Sequence, residues 1–128
     1  MRKTAAIIYA VLMGLVVLFQ FCLTLGLPWG EASMGGKYPG TYPLMMRFVS
    51  FLNMIILSCI TVIVLVKAEL LFPRFKSFSS KAIWFVVGFS VVAVILNLIT
   101  PSQIERQIWA PVTVIQLIAC ILVALKKI

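Results

Sequence analysis

The sequence predicts an all-α membrane protein: a single domain of 128 residues built as a four-transmembrane-helix bundle. Three observations predict it. The chain is 63% hydrophobic and 11% charged, with a mean hydropathy of +1.18. Soluble domains are about 45–50% apolar and about 25% charged, and disorder requires low hydrophobicity. The apolar residues gather in four runs, each near the ~20 residues that a membrane helix needs. The runs also lack the strict apolar–polar alternation of a β-barrel.

The first span is expected over residues 4–27. Arg2 and Lys3 give it a basic start, as in a secretory signal. Its apolar stretch exceeds the ~7–15 residues of a signal core, and no A-x-A site follows. Phe19, Gln20 and Phe21 before Cys22 do not form a lipoprotein cleavage box. The segment is therefore read as a permanent span.

The loop over residues 26–43, GLPWGEASMGGKYPGTYP, holds five of the seven glycines and three of the six prolines. Such residues set turns and permit unusual backbone angles. Trp29, Tyr38 and Tyr42 are rings suited to a membrane interface. A loop this long is either functional or disordered. Its aromatics favour an ordered Gly/Pro/aromatic cap over the bundle mouth, and Gly35-Gly36 could close a short hairpin.

The second span is expected over 44–66, with Arg47 about one turn inside it. Residues 67–81, KAELLFPRFKSFSSK, interleave Phe72, Phe75 and Phe78 with Arg74, Lys76 and Lys81. That mixture suits a segment at headgroup level, rings in the interface and cations near anionic lipid. The third span is expected over 82–99. In NLITPSQIERQIWAP, Ser102 followed by Glu105 is a capping-box pattern, and Thr100 before Pro101 is an alternative helix start. Pro111 should kink or restart the fourth span, expected over 108–125.

Loop charges predict orientation. The N-terminus, the second connection and the C-terminus carry eight basic residues: Arg2, Lys3, Lys67, Arg74, Lys76, Lys81, Lys126 and Lys127. The other side carries three, Lys37, Arg47 and Arg106. Both termini are expected in the cytoplasm. The imbalance argues against a dual-topology dimer. The net charge of +8 is thus read as topology control and not as a nucleic-acid footprint.

Composition narrows the chemistry. Histidine is absent and the acidic residues are only Glu31, Glu69 and Glu105. The commonest general base and zinc ligand is therefore missing. Cys22, Cys59 and Cys120 stand alone, without a CxxC pair. No phosphate, haem or nucleotide fingerprint occurs, and no cofactor or metal is expected.

Polar side chains inside a bilayer are expensive and usually face the bundle interior. Here they cluster toward the extracytoplasmic half: Gln20 and Thr24; Arg47, Ser50 and Asn53; Asn97; Thr113 and Gln116. Thr113, Gln116 and Cys120 follow an i, i+3, i+7 spacing, and Ser90 and Asn97 are seven apart. Hydrogen bonding between helices, worth about 0.6 kcal/mol each, competes with a cavity as the explanation. Only a cavity gives a reason for one-sidedness. Arg47 could snorkel, pair with Glu31 or Glu105, or await an anionic ligand. The candidate ligand-binding residues are Gln20, Trp29, Glu31, Arg47, Asn53, Asn97, Glu105 and Gln116.

GLPWG, GGKYPG, Pro43, Arg47 and NLITPSQIERQIWAPV together resemble a pattern in small four-span bacterial membrane proteins of unassigned function. The resemblance implies a bacterial membrane protein and no activity. Small multidrug exporters need a glutamate in the first span, which this span lacks, and the pore signatures of fluoride channels are missing.

The leading expectation is a non-enzymatic protein of the cell membrane whose outward-facing polar pocket binds a small or lipidic ligand or a membrane partner. A small transporter or channel subunit is the alternative. It is weakened by the apolar inner stretches 5–19, 82–89 and 118–125. A membrane enzyme would rest on Glu31 and Glu105 near Arg47.

Overall fold

The computed structural model describes residues 2–30 and 40–125. Four long helices follow in order: α1 (Arg2–Leu25), α2 (Leu44–Lys67), α3 (Lys76–Ile99) and α4 (Gln103–Leu125). A 3₁₀ turn, Pro73–Phe75, leads into α3. Among the described residues there is no strand. At 1.5 Å per residue each helix is about 35 Å long, more than the ~30 Å hydrocarbon thickness of a bilayer. All four are long and apolar enough to cross a membrane.

The helices form a closed ring. Helix α1 packs against α2 and α4, while α3 packs against α4 and less extensively against α2. The α1–α2 and α3–α4 connections lie at one end, called here the Trp29 end. The α2–α3 connection and the starting turn of α1 lie at the other, the Lys67 end.

Large apolar side chains cover the outer surface, while several polar ones are buried. Val11, Leu18, Phe48, Phe85 and Leu122 point outward, whereas Ser50, Ser79, Ser90, Thr113 and Gln116 are buried. Hydrocarbon surroundings remove the penalty for exposed Leu and Phe and impose one on exposed amides and hydroxyls. Four such helices are compatible with a multi-pass integral membrane protein. The core at the Lys67 end is built from Ala5, Ala6, Tyr9 and Met13 of α1, Ile60 and Val64 of α2, Ile83 and Val86 of α3, and Ala119, Cys120 and Val123 of α4. Its alanines let backbones approach closely, which is how helices associate without a hydrophobic driving force.

Local chemistry sets the helix ends. Helix α1 stops at Gly26, whose φ of +96° is a left-handed conformation natural to glycine. There the N–H of Leu27 donates to the Cys22 carbonyl and that of Gly26 to Leu23, both at 3.1 Å. Helix α2 ends by the same device with Glu69 in the glycine position, at φ 66°. The N–H groups of Glu69 and Leu70 donate to the Val66 and Leu65 carbonyls. Helix α3 begins at Lys76, six residues before its expected apolar run starts at 82. Its opening turn is polar, and the Ser79 hydroxyl donates back to the Lys76 carbonyl at 2.9 Å. The Phe-rich connection folds on itself: Phe72 and Phe75 meet edge to face, and the Arg74 guanidinium lies 5.0 Å from the Phe75 ring centroid.

Helix α4 starts where the S-x-x-E pattern places it. Ser102 Oγ accepts the Glu105 N–H at 3.1 Å. Thr100 completes the turn, its hydroxyl donating to the Glu105 carboxylate and accepting the Ser102 N–H. The helix then continues through Pro111 without a break.

Candidate functional site

Polar side chains from three helices meet on the bundle axis at the Trp29 end. Gln20 comes from α1, Asn97 from α3, and Glu105, Thr113 and Gln116 from α4. With Met13, Val16, Phe19, Leu57, Phe89, Ala93 and Trp109 they enclose a cavity of about 170 Å³. Each polar contributor arrives by helical spacing: Met13, Val16 and Gln20 share a stripe, as do Phe89, Ala93 and Asn97, and Glu105, Trp109, Thr113 and Gln116.

The amides and hydroxyls are held differently. Gln116 is 5% exposed, and its Nε2 donates to the sulfur of Met13 at 3.8 Å. A thioether is a weak acceptor, so this amide keeps hydrogen-bonding capacity that a carbonyl would have absorbed. Asn97 Nδ2 donates to the Ala93 carbonyl at 2.7 Å, which turns its side chain along α3. Thr113 donates to the Ala110 carbonyl at 3.0 Å, one residue before Pro111. Among the described lining residues, Glu105 brings the one charged side chain. Its carboxylate is oriented by Thr100 and by its place in the first turn of α4, where the helix dipole favours negative charge.

An aromatic group covers the same end. The Phe19 ring stacks on Trp29 with centroids 6.5 Å apart, and its centroid lies 5.0 Å from that of Trp109. Trp29 therefore sits above a wall of the cavity without lining it. The backbone beside it is tied down: Gly30 donates to the Gly40 carbonyl at 2.9 Å, and Thr41 Oγ1 to the Gly26 carbonyl at 3.2 Å. Tyr42, grouped with the interfacial rings in the sequence, is buried at 3% exposure. The Gly35-Gly36 turn, Lys37, Tyr38 and Glu31 lie outside the described residues.

A second depression adjoins the cavity. It is a groove of about 490 Å³ along α3 and its connection to α4, lined by Val92, Leu96, Ile99, Thr100 and Pro101. Phe89, Ala93, Asn97 and Glu105 belong to both spaces and form the partition between them.

Helix α2 stands apart from this arrangement, giving the cavity only Leu57. Asn53 is half-buried on α2 and lies outside the lining; Ser50 is buried at 2% exposure. Arg47 crosses to α1, where its Nε donates to the Thr24 carbonyl at 2.8 Å. Its guanidinium lies over Gly26, where an added Cβ would meet Cζ at 3.4 Å. The Arg47 side chain thus caps the C-terminal end of α1. Together with Thr24, Leu44, Phe48 and Phe51 it lines a separate groove. Thus Gln20, Asn97, Glu105 and Gln116 come together, while Arg47 and Asn53 do not join them.

The sequence reading passed over Phe19, Met13 and Trp109 as site residues. A signal for Trp109 exists, since it lies four residues after Glu105 and four before Thr113 on one face of α4. Deeper in the bundle, Cys120 Sγ contacts Ser90 Oγ at 3.5 Å beside the buried Tyr9. Among the described residues, no three His, Cys, Asp or Glu side chains gather where a metal could bind. No protein-family model matches the chain, and no curated protein or solved structure does.

Proposed function

We propose that this chain is an integral protein of the cell membrane that binds a small or lipidic ligand in the cavity beneath Trp29, without catalysing a reaction. The observation that carries the reading is the convergence of Gln20, Asn97, Glu105, Thr113 and Gln116 on one space. Below it the axis is filled by Tyr9, Val64, Val86, Cys120 and Val123, none more than 1% exposed. A polar chamber above a closed apolar plug suits a binding pocket better than a conduit, because conduction needs polar lining along the whole path. The loop-charge asymmetry supports a cavity that opens to the outside, with both termini cytoplasmic.

The test is native mass spectrometry of the full chain released from its own membrane, beside the Gln116→Leu and Asn97→Leu variants. The expected result is a co-purifying small molecule or lipid that both variants lose. Identical bound species in all three proteins would overturn the assignment to this cavity. Labelling of single cysteines placed at Gly40 and Ser77 reads the orientation: the first should react from outside and the second only after permeabilisation.

A further inference from the structure

We infer that a membrane phospholipid with a net anionic headgroup docks at the Lys67 end, its acyl chain in a groove between α2 and α3 and its phosphate at Arg74 and Lys81. The site lies at the end of the bundle opposite the cavity, so it goes beyond the binding reading above and stands or falls apart from it.

The groove supplies a seat for the chain. It measures about 270 Å³ and is lined by Val62, Ile63 and Val66 of α2, Phe72 and Phe75 of the connection, and Phe78 at the start of α3. Ser79, also in the wall, spends its hydroxyl on the Lys76 carbonyl, so the groove offers a guest mainly hydrocarbon contact. Val62, Phe72, Phe75 and Phe78 are exposed. The groove therefore opens sideways, where lipid surrounds a spanning bundle. Pockets that enclose a whole ligand measure roughly 300–1,000 Å³; this one seats part of a chain while the rest of the lipid stays in the bilayer. The connection is shaped to hold it. Phe72 takes φ 38°, a left-handed conformation costly for a bulky residue, and its ring meets that of Phe75 edge to face at 6.4 Å.

Charge supplies the choice of headgroup. Residues 67–81 carry four basic side chains against one acidic, Glu69. Two of the four are committed within the chain: Lys67 is buried at 5% exposure, and Lys76 Nζ lies 3.1 Å from Glu69 Oε1. Arg74 and Lys81 are exposed and form no ion pair among the described residues. Arg74 stands between Phe72 and Phe75 at the edge of the groove, its guanidinium 5.0 Å from the Phe75 ring centroid. Lys81 follows Phe78 by three residues, on one face of α3. The first turn of α3 holds no acidic residue, and the positive end of the helix dipole there favours a phosphate. A guanidinium can bind phosphate oxygens as a fork while its plane rests on a ring. A zwitterionic head brings its own cation against the same positive surface, which offsets the gain. A net anionic head does not.

The experiment titrates the full chain in neutral maltoside micelles with phosphatidylglycerol, or with phosphatidylcholine of the same acyl chains, and counts the retained lipids by native mass spectrometry. The first phosphatidylglycerol should bind about fivefold or more tighter than phosphatidylcholine, the factor expected from one basic residue near an anionic headgroup. Arg74→Gln and Lys81→Gln should each lose about that factor, and Arg74→Lys should keep most of it. Lys3→Gln, which removes an exposed cation of the same end on α1, should lose none. Val62→Trp, which fills the groove from an exposed position, should weaken both lipids. Circular dichroism checks that each variant keeps its helices. Equal affinity for the two lipids, or the same loss in Lys3→Gln as in Arg74→Gln, overturns the inference. Binding unchanged by Val62→Trp overturns the groove as the seat. Full competition by glycerol phosphate, which has the head and no chain, does the same. Gln116→Leu, in the cavity at the other end, should leave phosphatidylglycerol binding as it is; its loss there would move the lipid to that cavity and refute this site.

Discussion

Arg47 offers the sharpest test of how this bundle is held together at the Trp29 end. Its Nε donates to the Thr24 carbonyl at 2.8 Å, in the last turn of α1. The final carbonyls of a helix have no partner within it, and here Cys22 and Leu23 are served by the turn at Gly26 while Thr24 depends on Arg47. A hydrogen bond from a charged donor contributes about 1.5–3 kcal/mol. A cation at a helix C-terminus adds about 0.3–1 kcal/mol. Releasing a long, half-buried side chain returns roughly 1 kcal/mol of rotamer entropy. Arg47→Met, which keeps the apolar stem, should therefore cost about 2 kcal/mol. Arg47→Lys should recover only part, because an ammonium cannot lie flat over Gly26 as the guanidinium does. The assay is reversible unfolding in mixed micelles, followed by circular dichroism, with co-purifying species read by native mass spectrometry from the same preparations. A loss under about 0.5 kcal/mol would refute the capping role. Intact stability with loss of the co-purifying species would place Arg47 in the site and refute its separation from the cavity.

Three further outcomes follow from local geometry. Ser102→Ala removes the acceptor for the Glu105 N–H and should cost about 1 kcal/mol in the same unfolding assay. Glu69→Gly should be more stable than Glu69→Ala by about 1 kcal/mol, since both lose the exposed Lys76 ion pair but only glycine adopts φ 66° without strain. Ala6→Leu overfills a position with 0% exposure and should cost about 1–3 kcal/mol while Ile7→Leu next to it, facing out at 51%, is neutral.

Much of the architecture is legible along the chain because the cost of unsatisfied backbone in hydrocarbon leaves an apolar run of this length one conformation. Four runs therefore read as four helices, and S-x-x-E at Ser102 marks the start of α4 because its hydrogen bonds are local. Helix α3 begins earlier than its apolar run because Lys76, Ser77 and Ser79 form a polar turn that hydropathy alone reads as loop. The candidate site is legible in part. Gln20, Asn97, Glu105 and Gln116 share a space because each lies on its helix's inward stripe. Arg47 and Asn53 carry the same polar signature on α2, yet neither joins them.

Composition and periodicity thus determine the solvent, the number of spans and which residues are polar within them, since these depend on neighbours a few positions away. Which polar residues meet depends on the rotation of each helix about its own axis. That rotation is decided by contacts between residues far apart in the chain, such as Gln116 with Met13 and Arg47 with Thr24. Only the packed bundle places Glu105 beside Trp109 and Asn97 while turning Arg47 toward α1.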